Sequence, residues 1–176
     1  MSEDNQTPDV KTLNTDAHLT NFRKVQNFNK CFGVERYETP QLNVCVENPK
    51  LVKFRMGLIH EEVMELEDAI KNNDFEEVVD ALSDILYVVY GMGDCIGVDL
   101  DKTFQIVHSS NMTKLCKTEE EAKETVNWYK QNKLDVYPEP DYKKGNGDYY
   151  VVYNKSTGKV LKSINYLEAD LSEYEN

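Results

Sequence analysis

The chain is 176 residues long and 40 % of it is aliphatic, aromatic or cysteine, enough to bury the core of one domain with a small appendage. Its formal net charge of −12 argues against phosphate backbones and anionic membranes as partners of the whole surface, so neither nucleic acid nor membrane is expected to bind it. A small anion such as a nucleotide stays admissible where metal ions or a local cationic cluster stand between it and the acids.

No apolar run of about 18 residues occurs, so nothing reads as membrane-spanning. The opening "MSEDNQTPDVKTLNTD" lacks the basic and apolar parts of a signal peptide. Cys31, Cys45, Cys95 and Cys116 are widely spaced with no CxxC pair. Together these features point to a reduced, cytoplasmic chain with buried thiols.

Residues 1–17 are polar and read as a flexible N-terminus. A first helix is expected around 18–32, with Phe22, Val25, Phe28 and Phe32 on one side and Gly33 ending it. The stretch 34–49, with Pro40 and Pro49, reads as a loop. A second helix is expected over 50–72, stopping at "KNND", and a third over 75–96, ending in "GVDLD". There Asp99 or Asp101 can cap a fourth helix of 100–116. In "TEEEAKETVNWYKQN", the leading Thr118 and Glu121 form a capping-box pattern for a fifth. After Pro138 the composition changes, and "DYYVVYNKSTGKVLKSINYL" reads as a β-hairpin turning at Ser-Thr-Gly. The expected architecture is therefore all-α, a helical bundle over 18–137, followed by a small β-hairpin tail over 138–176.

The acids of the second and third helices raise a physical problem. On a helical wheel of about 100° per residue with Glu61 at zero, Ile59, Val63, Leu66 and Ile70 fall between about 140° and 200° and form a core stripe. Glu62, near 100°, and Glu65, near 40°, border that stripe and do not lie opposite it. The third helix is apolar on almost every side (Leu82, Ile85, Leu86, Val88, Val89, Met92) and is expected to be central and largely buried. Yet Glu77, Asp80 and Asp84 share one face of it within about 60°. Isolated buried carboxylates cost several kcal/mol each, and grouping them adds repulsion. A divalent cation removes the difficulty, and oxygen-only ligands select Mg²⁺, with Mn²⁺ as a substitute, over zinc. The two helices are thus expected to face each other across a metal site, while Glu67, Asp68 and Glu76 read as solvated. No DxDxDG loop lies between the helices, which argues against a calcium hand.

The same residues carry a family likeness. "EEVMELEDAI" followed by "EEVVDALSDILYVVYG" resembles the EExxE…ExxD signature of the MazG-like, all-α nucleoside triphosphate pyrophosphatases, a group related to phosphoribosyl-ATP pyrophosphohydrolases. "VQNFNKCFG", "VHSSNMTKL" and "GKVLKSINY" resemble further segments of that family in the same order, so the likeness covers roughly 20–116 and 158–171. It implies a helical homodimer or homotetramer that hydrolyses a nucleoside triphosphate to the monophosphate and pyrophosphate with Mg²⁺. A deoxyuridine or deoxycytidine triphosphate is slightly favoured as substrate, and nucleotide-pool housekeeping is the expected role.

Carried over residue by residue, the resemblance places EExxE on Glu61, Glu62 and Glu65. The ExxD motif fits Glu77 and Asp80 literally, whereas the hydrophobic-hydrophobic-Tyr that follows the family's aspartate aligns with Asp84. Glu62, Glu65, Asp80 and Asp84 are taken as metal ligands with Glu77 at the rim, and Glu61 as the base that activates water. Asn111 and Lys114 share one helical face and, with Lys162 from the tail and Arg55 one turn before the acids, are the expected substrate contacts. Trp128 and the tyrosines Tyr149, Tyr150 and Tyr153 offer faces on which a base could stack, but they read first as packing residues. A non-catalytic nucleotide or Mg²⁺ sensor on the same scaffold is the alternative, and a purely structural oligomerisation module a third reading.

Overall fold

A computed structural model describes residues 18–175; the expected flexible segment, 1–17, lies outside them. The described residues form six α-helices followed by a two-stranded antiparallel sheet, which is the mostly helical fold with a hairpin near its end that the sequence pattern indicates. They divide into two compact units, 18–102 with 174–175, and 103–173, each with its own core.

In the first unit, Thr20 caps α1 (Asn21–Cys31) by accepting from the Arg23 amide. Phe22 and Val25 are buried as expected, but Phe28 and Phe32 are exposed, stacked on one another with centroids 4.1 Å apart. The stretch read as a loop contains a single helical turn, α2 (Val44–Glu47), whose Val44 packs with Leu51 and Cys95. Asn48 caps α3 (Pro49–Asn72), with Pro49 at the first position where a missing N–H costs nothing. Asn73 ends α3 in the left-handed region (φ 54°), which asparagine tolerates, and Asp74 caps α4 (Phe75–Cys95). This two-residue link folds α4 back along α3.

The α3–α4 seam has a definite register. Gly91 has no side chain because the Arg55 guanidinium lies there; a Cβ would stand 1.9 Å from its Nη2. Arg55 is 7 % exposed, its Nη2 donates to the Val88 carbonyl at 3.4 Å, and its Nε has no hydrogen-bond partner among the described residues. Antiparallel counting from this contact sets Glu62 opposite Asp84, seven residues or about 10 Å further along.

α4 is less buried than its composition predicts. Ala81, Gly91 and Cys95 face inward, but Val79, Leu82 and Leu86 are each about half exposed, at 50 %, 49 % and 52 %. The cause is geometric: α1 and α3 cover only part of its circumference. Its end is fixed by Asp94, 1 % exposed, whose carboxylate accepts from Gln26 and Asn29 of α1 at 2.9 Å and from Arg36 at 3.0–3.1 Å. Burial pushes this carboxyl up, but the bonds from Arg36, Asn29 and Gln26 outweigh it and hold the group below the usual aspartate value. One charge thus ties α1, the following loop and α4 together.

The second unit contains most of α5 (Leu100–Met112), which Asp99 opens by accepting from the amides of Asp101 and Lys102. The helix stops at Met112, short of the expected 116. Thr118 caps α6 (Glu119–Asn132), while the Glu121 carboxylate reaches back to the Lys117 amide, a one-residue variant of the expected box. The hairpin pairs β1 (Pro140–Lys144) with β2 (Tyr150–Asn154), turning at 145–149. This corrects the expected turn at Ser-Thr-Gly, which instead leads β2 into a single bridge between Tyr153 and Val160. Cys116, Ala122, Val126, Tyr129, Val152 and Leu161 form the core, so α6 groups with the hairpin and not with α1–α4. Cys95 and Cys116 are buried, but Cys31 and Cys45 are exposed, and all four are free thiols. No single helix among the described residues is long and apolar enough to cross a membrane.

Replacing Asp94 with Ala strands the Arg36 guanidinium and is expected to cost about 3–5 kcal/mol, read from the urea midpoint. Because the folded carboxyl sits below its unfolded value, its contribution is complete above pH ~4 and is lost as pH falls through the depressed folded value. The wild type and Asp94→Ala are therefore expected to converge in stability only in that acidic window.

Candidate active site

Glu61, Glu62 and Glu65 project from the middle of α3, and Asp80 and Asp84 from α4. Glu62 is half-buried against the seam, and its carboxyl is raised above the usual glutamate value. Burial is the main cause, followed by the charges of Glu65, Asp84, Glu61 and Asp80 in that order. The structure thus brings five of the expected site residues into one electrostatic cluster. Asp84 acts on Glu62 more strongly than Asp80 does, as the hairpin register requires. Glu77 lies with Asp80 in a groove of about 450 Å³ on the outer side of α4, lined also by Glu76, Val79 and Ser83.

All five groups offer oxygen, the donor set that hard divalent cations take. Their side chains are splayed, however: among the described residues no group of three or more His, Cys, Asp or Glu is arranged to hold an ion. Mutual repulsion is a sufficient physical reason, since like charges crowded at a half-buried seam gain by turning apart.

Arg55 is placed away from these acids, two helical turns toward the start of α3, with its guanidinium on the backbone of α4. A second feature was missed from the sequence. Lys50, Lys53, Phe54, Gly57, Leu58 and Glu61 line a shallow groove of about 510 Å³ along α3, putting two ammonium groups on the side that carries Glu61. The 50-53-57-61 spacing is a helical face and held the signal.

The remaining expected contacts lie in the second unit. Lys114 donates to the Asn111 Oδ1 at 2.7 Å, just past the end of α5. The tail is tied to that same helix end: Ser110 Oγ donates to the Leu167 carbonyl at 2.8 Å, and Ser163 Oγ to the Thr113 carbonyl at 2.9 Å. The segments "SNMTK" and "GKVLKSINY", far apart in sequence, are thereby joined. Lys162, in the second of them, faces Glu168 at 3.5 Å and the Tyr166 ring at 4.2 Å from its centre.

The sequence profile of the phosphoribosyl-ATP pyrophosphohydrolase family matches residues 25–111. A relative from Acanthamoeba polyphaga mimivirus, the uncharacterized protein L479, is 30 % identical, covering 82 % of this chain and 91 % of its own length. The chain belongs to the phosphoribosyl-ATP pyrophosphohydrolase family, within the MazG-like all-α superfamily. That family's chemistry is pyrophosphohydrolysis of nucleotide-like substrates.

A raised glutamate costs the folded state stability once it ionises. At low pH the folded and unfolded forms are both protonated; as pH rises past ~4.3 the unfolded chain ionises freely while the folded one resists. Glu62→Gln is therefore expected to raise the melting temperature in EDTA at pH 7, with the gain disappearing as pH falls through the glutamate range.

Proposed function

We propose that this chain is a Mg²⁺-dependent nucleoside triphosphate diphosphatase, releasing pyrophosphate and the nucleoside monophosphate. The observation that carries the reading is the crowding of four carboxylates around half-buried Glu62, a concentration of negative charge that costs stability unless a cation is bound. In this reading Glu62, Glu65, Asp80 and Asp84 would hold Mg²⁺ through their carboxylate oxygens. Mg²⁺ bound there supplies neutralisation of the phosphate charge.

The chain's own groups then do the rest. Glu61 takes a proton from water as the water oxygen joins the α-phosphorus; the bridge to the β-phosphate breaks and pyrophosphate leaves. Lys50 and Lys53, on the Glu61 side of α3, meet the anionic substrate. Asn111, Lys114 and Lys162 donate to phosphate or sugar, whereas Arg55 serves the helix seam. A deoxynucleotide such as dUTP or dCTP is the favoured substrate and pool housekeeping the role.

The protein works as a homodimer or homotetramer. Val79, Leu82, Leu86 and Val89 recur on one exposed face of α4, an apolar stripe that a second copy would cover.

A screen of common NTPs and dNTPs with Mg²⁺, scored for pyrophosphate, tests the reaction. Glu62→Gln and Asp84→Asn are each expected to lower the rate by about a hundredfold or more while leaving helicity unchanged. Binding of nucleotide with no pyrophosphate from any substrate would instead identify a sensor. Light scattering should show a dimer or tetramer that Leu82→Asp breaks into monomers.

A further inference from the structure

The second unit holds a cavity that shares Lys162 with the reaction above but whose aromatic wall that reaction does not use. It measures about 520 Å³, within the range of small-molecule sites, and is lined by Trp128, Tyr129, Lys162, Ile164, Tyr166 and Glu168. Consecutive helix positions point about 100° apart, so α6 sends Tyr129 into the core and Trp128 outward. Trp128, the only tryptophan of the chain, is 43 % exposed, and Ile164 beside the cavity is similarly exposed. The rear of the cavity is fixed: the Tyr129 hydroxyl accepts from the Lys162 amide at 3.2 Å, and buried Thr125 accepts from the Ile164 amide at 3.2 Å.

We propose that this cavity is a nucleoside-monophosphate site in which the base stacks on Trp128 and the phosphate meets Lys162. The proposal rests on the reading of the protein as a nucleotide hydrolase for its choice of ligand, but its geometry lies wholly within the second unit.

Three features select this ligand class. A flat aromatic face takes any base, because every base has a π-face. The Lys162 ammonium is held by an exposed pair with Glu168 at 3.5 Å and lies over the Tyr166 ring at 4.2 Å, both weak interactions, so a dianionic phosphate makes the stronger charge-assisted partner. The local field also permits an anion here: residues 103–173 carry half of the chain's 20 basic residues but only about a third of its 32 acidic ones. A free phosphate would use Lys162 and leave the aromatic wall bare, whereas a nucleotide uses both.

Because Trp128 is the sole indole, its fluorescence reports this cavity alone. The full chain in EDTA, excited at the red edge of the indole band, is titrated with dUMP, dCMP and dAMP, and separately with ribose 5-phosphate and inorganic phosphate. Saturable quenching at submillimolar nucleotide is expected, unchanged in Asp84→Asn and weakened about tenfold in Lys162→Ala. By equilibrium dialysis, Trp128→Phe should bind within about threefold of wild type and Trp128→Ala about tenfold more weakly, the low end of one base-on-aromatic stack. No saturable quenching, the same quenching midpoint with ribose 5-phosphate or phosphate, or insensitivity to Lys162→Ala overturns the site. Pyrophosphate release without quenching would remove this proposal and leave the hydrolase standing; quenching without pyrophosphate release would do the reverse.

Discussion

The register of the α3–α4 hairpin is the constraint on which the rest depends. A guanidinium fits between these helices only because Gly91 offers no side chain, and the contact fixes which residues meet further along the seam. Slide one helix by a single turn and Glu62 no longer faces Asp84. Close packing makes such a slide costly, since interiors tolerate neither voids nor overlaps of a methyl group. The seam therefore holds like charges together that would separate if free, and burial first, with those charges after it, raises the carboxyl of Glu62.

The two units divide the work by charge. The first concentrates acids at a helix seam and anchors its ends through Asp94 and Arg36, a buried pair that also collects two amides of α1. The second is nearly balanced in charge, and its lysines lie over aromatic rings: Lys143 on Tyr153, Lys159 on Tyr137 and Lys162 on Tyr166. Such pairs keep cations presented to solvent at low cost in mobility. One unit thus offers sites for positive charge and the other offers positive charge itself.

Much of this was legible from periodicity and caps. Thr118, the "KNND" stretch and Gly33 marked helix ends because their chemistry is local, and the apolar neighbours of Glu62 match its half-buried place, whereas Glu65 is exposed. What escaped was non-local. The exposure of Val79, Leu82 and Leu86 depends on how much of α4 its neighbours cover, which no helical wheel contains. The turn at 145–149 prevailed over the Ser-Thr-Gly turn because β1 was hidden in "PDYKK", a stretch too polar to read as a strand. Arg55 looked like a phosphate contact by sequence distance, and only the space at Gly91 showed it turned into the helix pair. Trp128 packs edge-on against Tyr129 yet stands 43 % exposed, and Tyr129 is the one of the two in the core.

The bond from Ser163 to the Thr113 carbonyl, 2.9 Å long, gives the chain between them a closed outline. Everything from Lys114 to Lys162 leaves and returns at one point, like the handle of a cup, and carries its own core in Ala122, Val126 and Val152. Segments with adjoining ends can lengthen or shrink without displacing what they spring from. The alignment with the mimiviral relative runs over 228 residues against 176 here, so insertions separate the two chains. A handle of this kind can change in length while Asn111 and the segment at 163–167 stay in place.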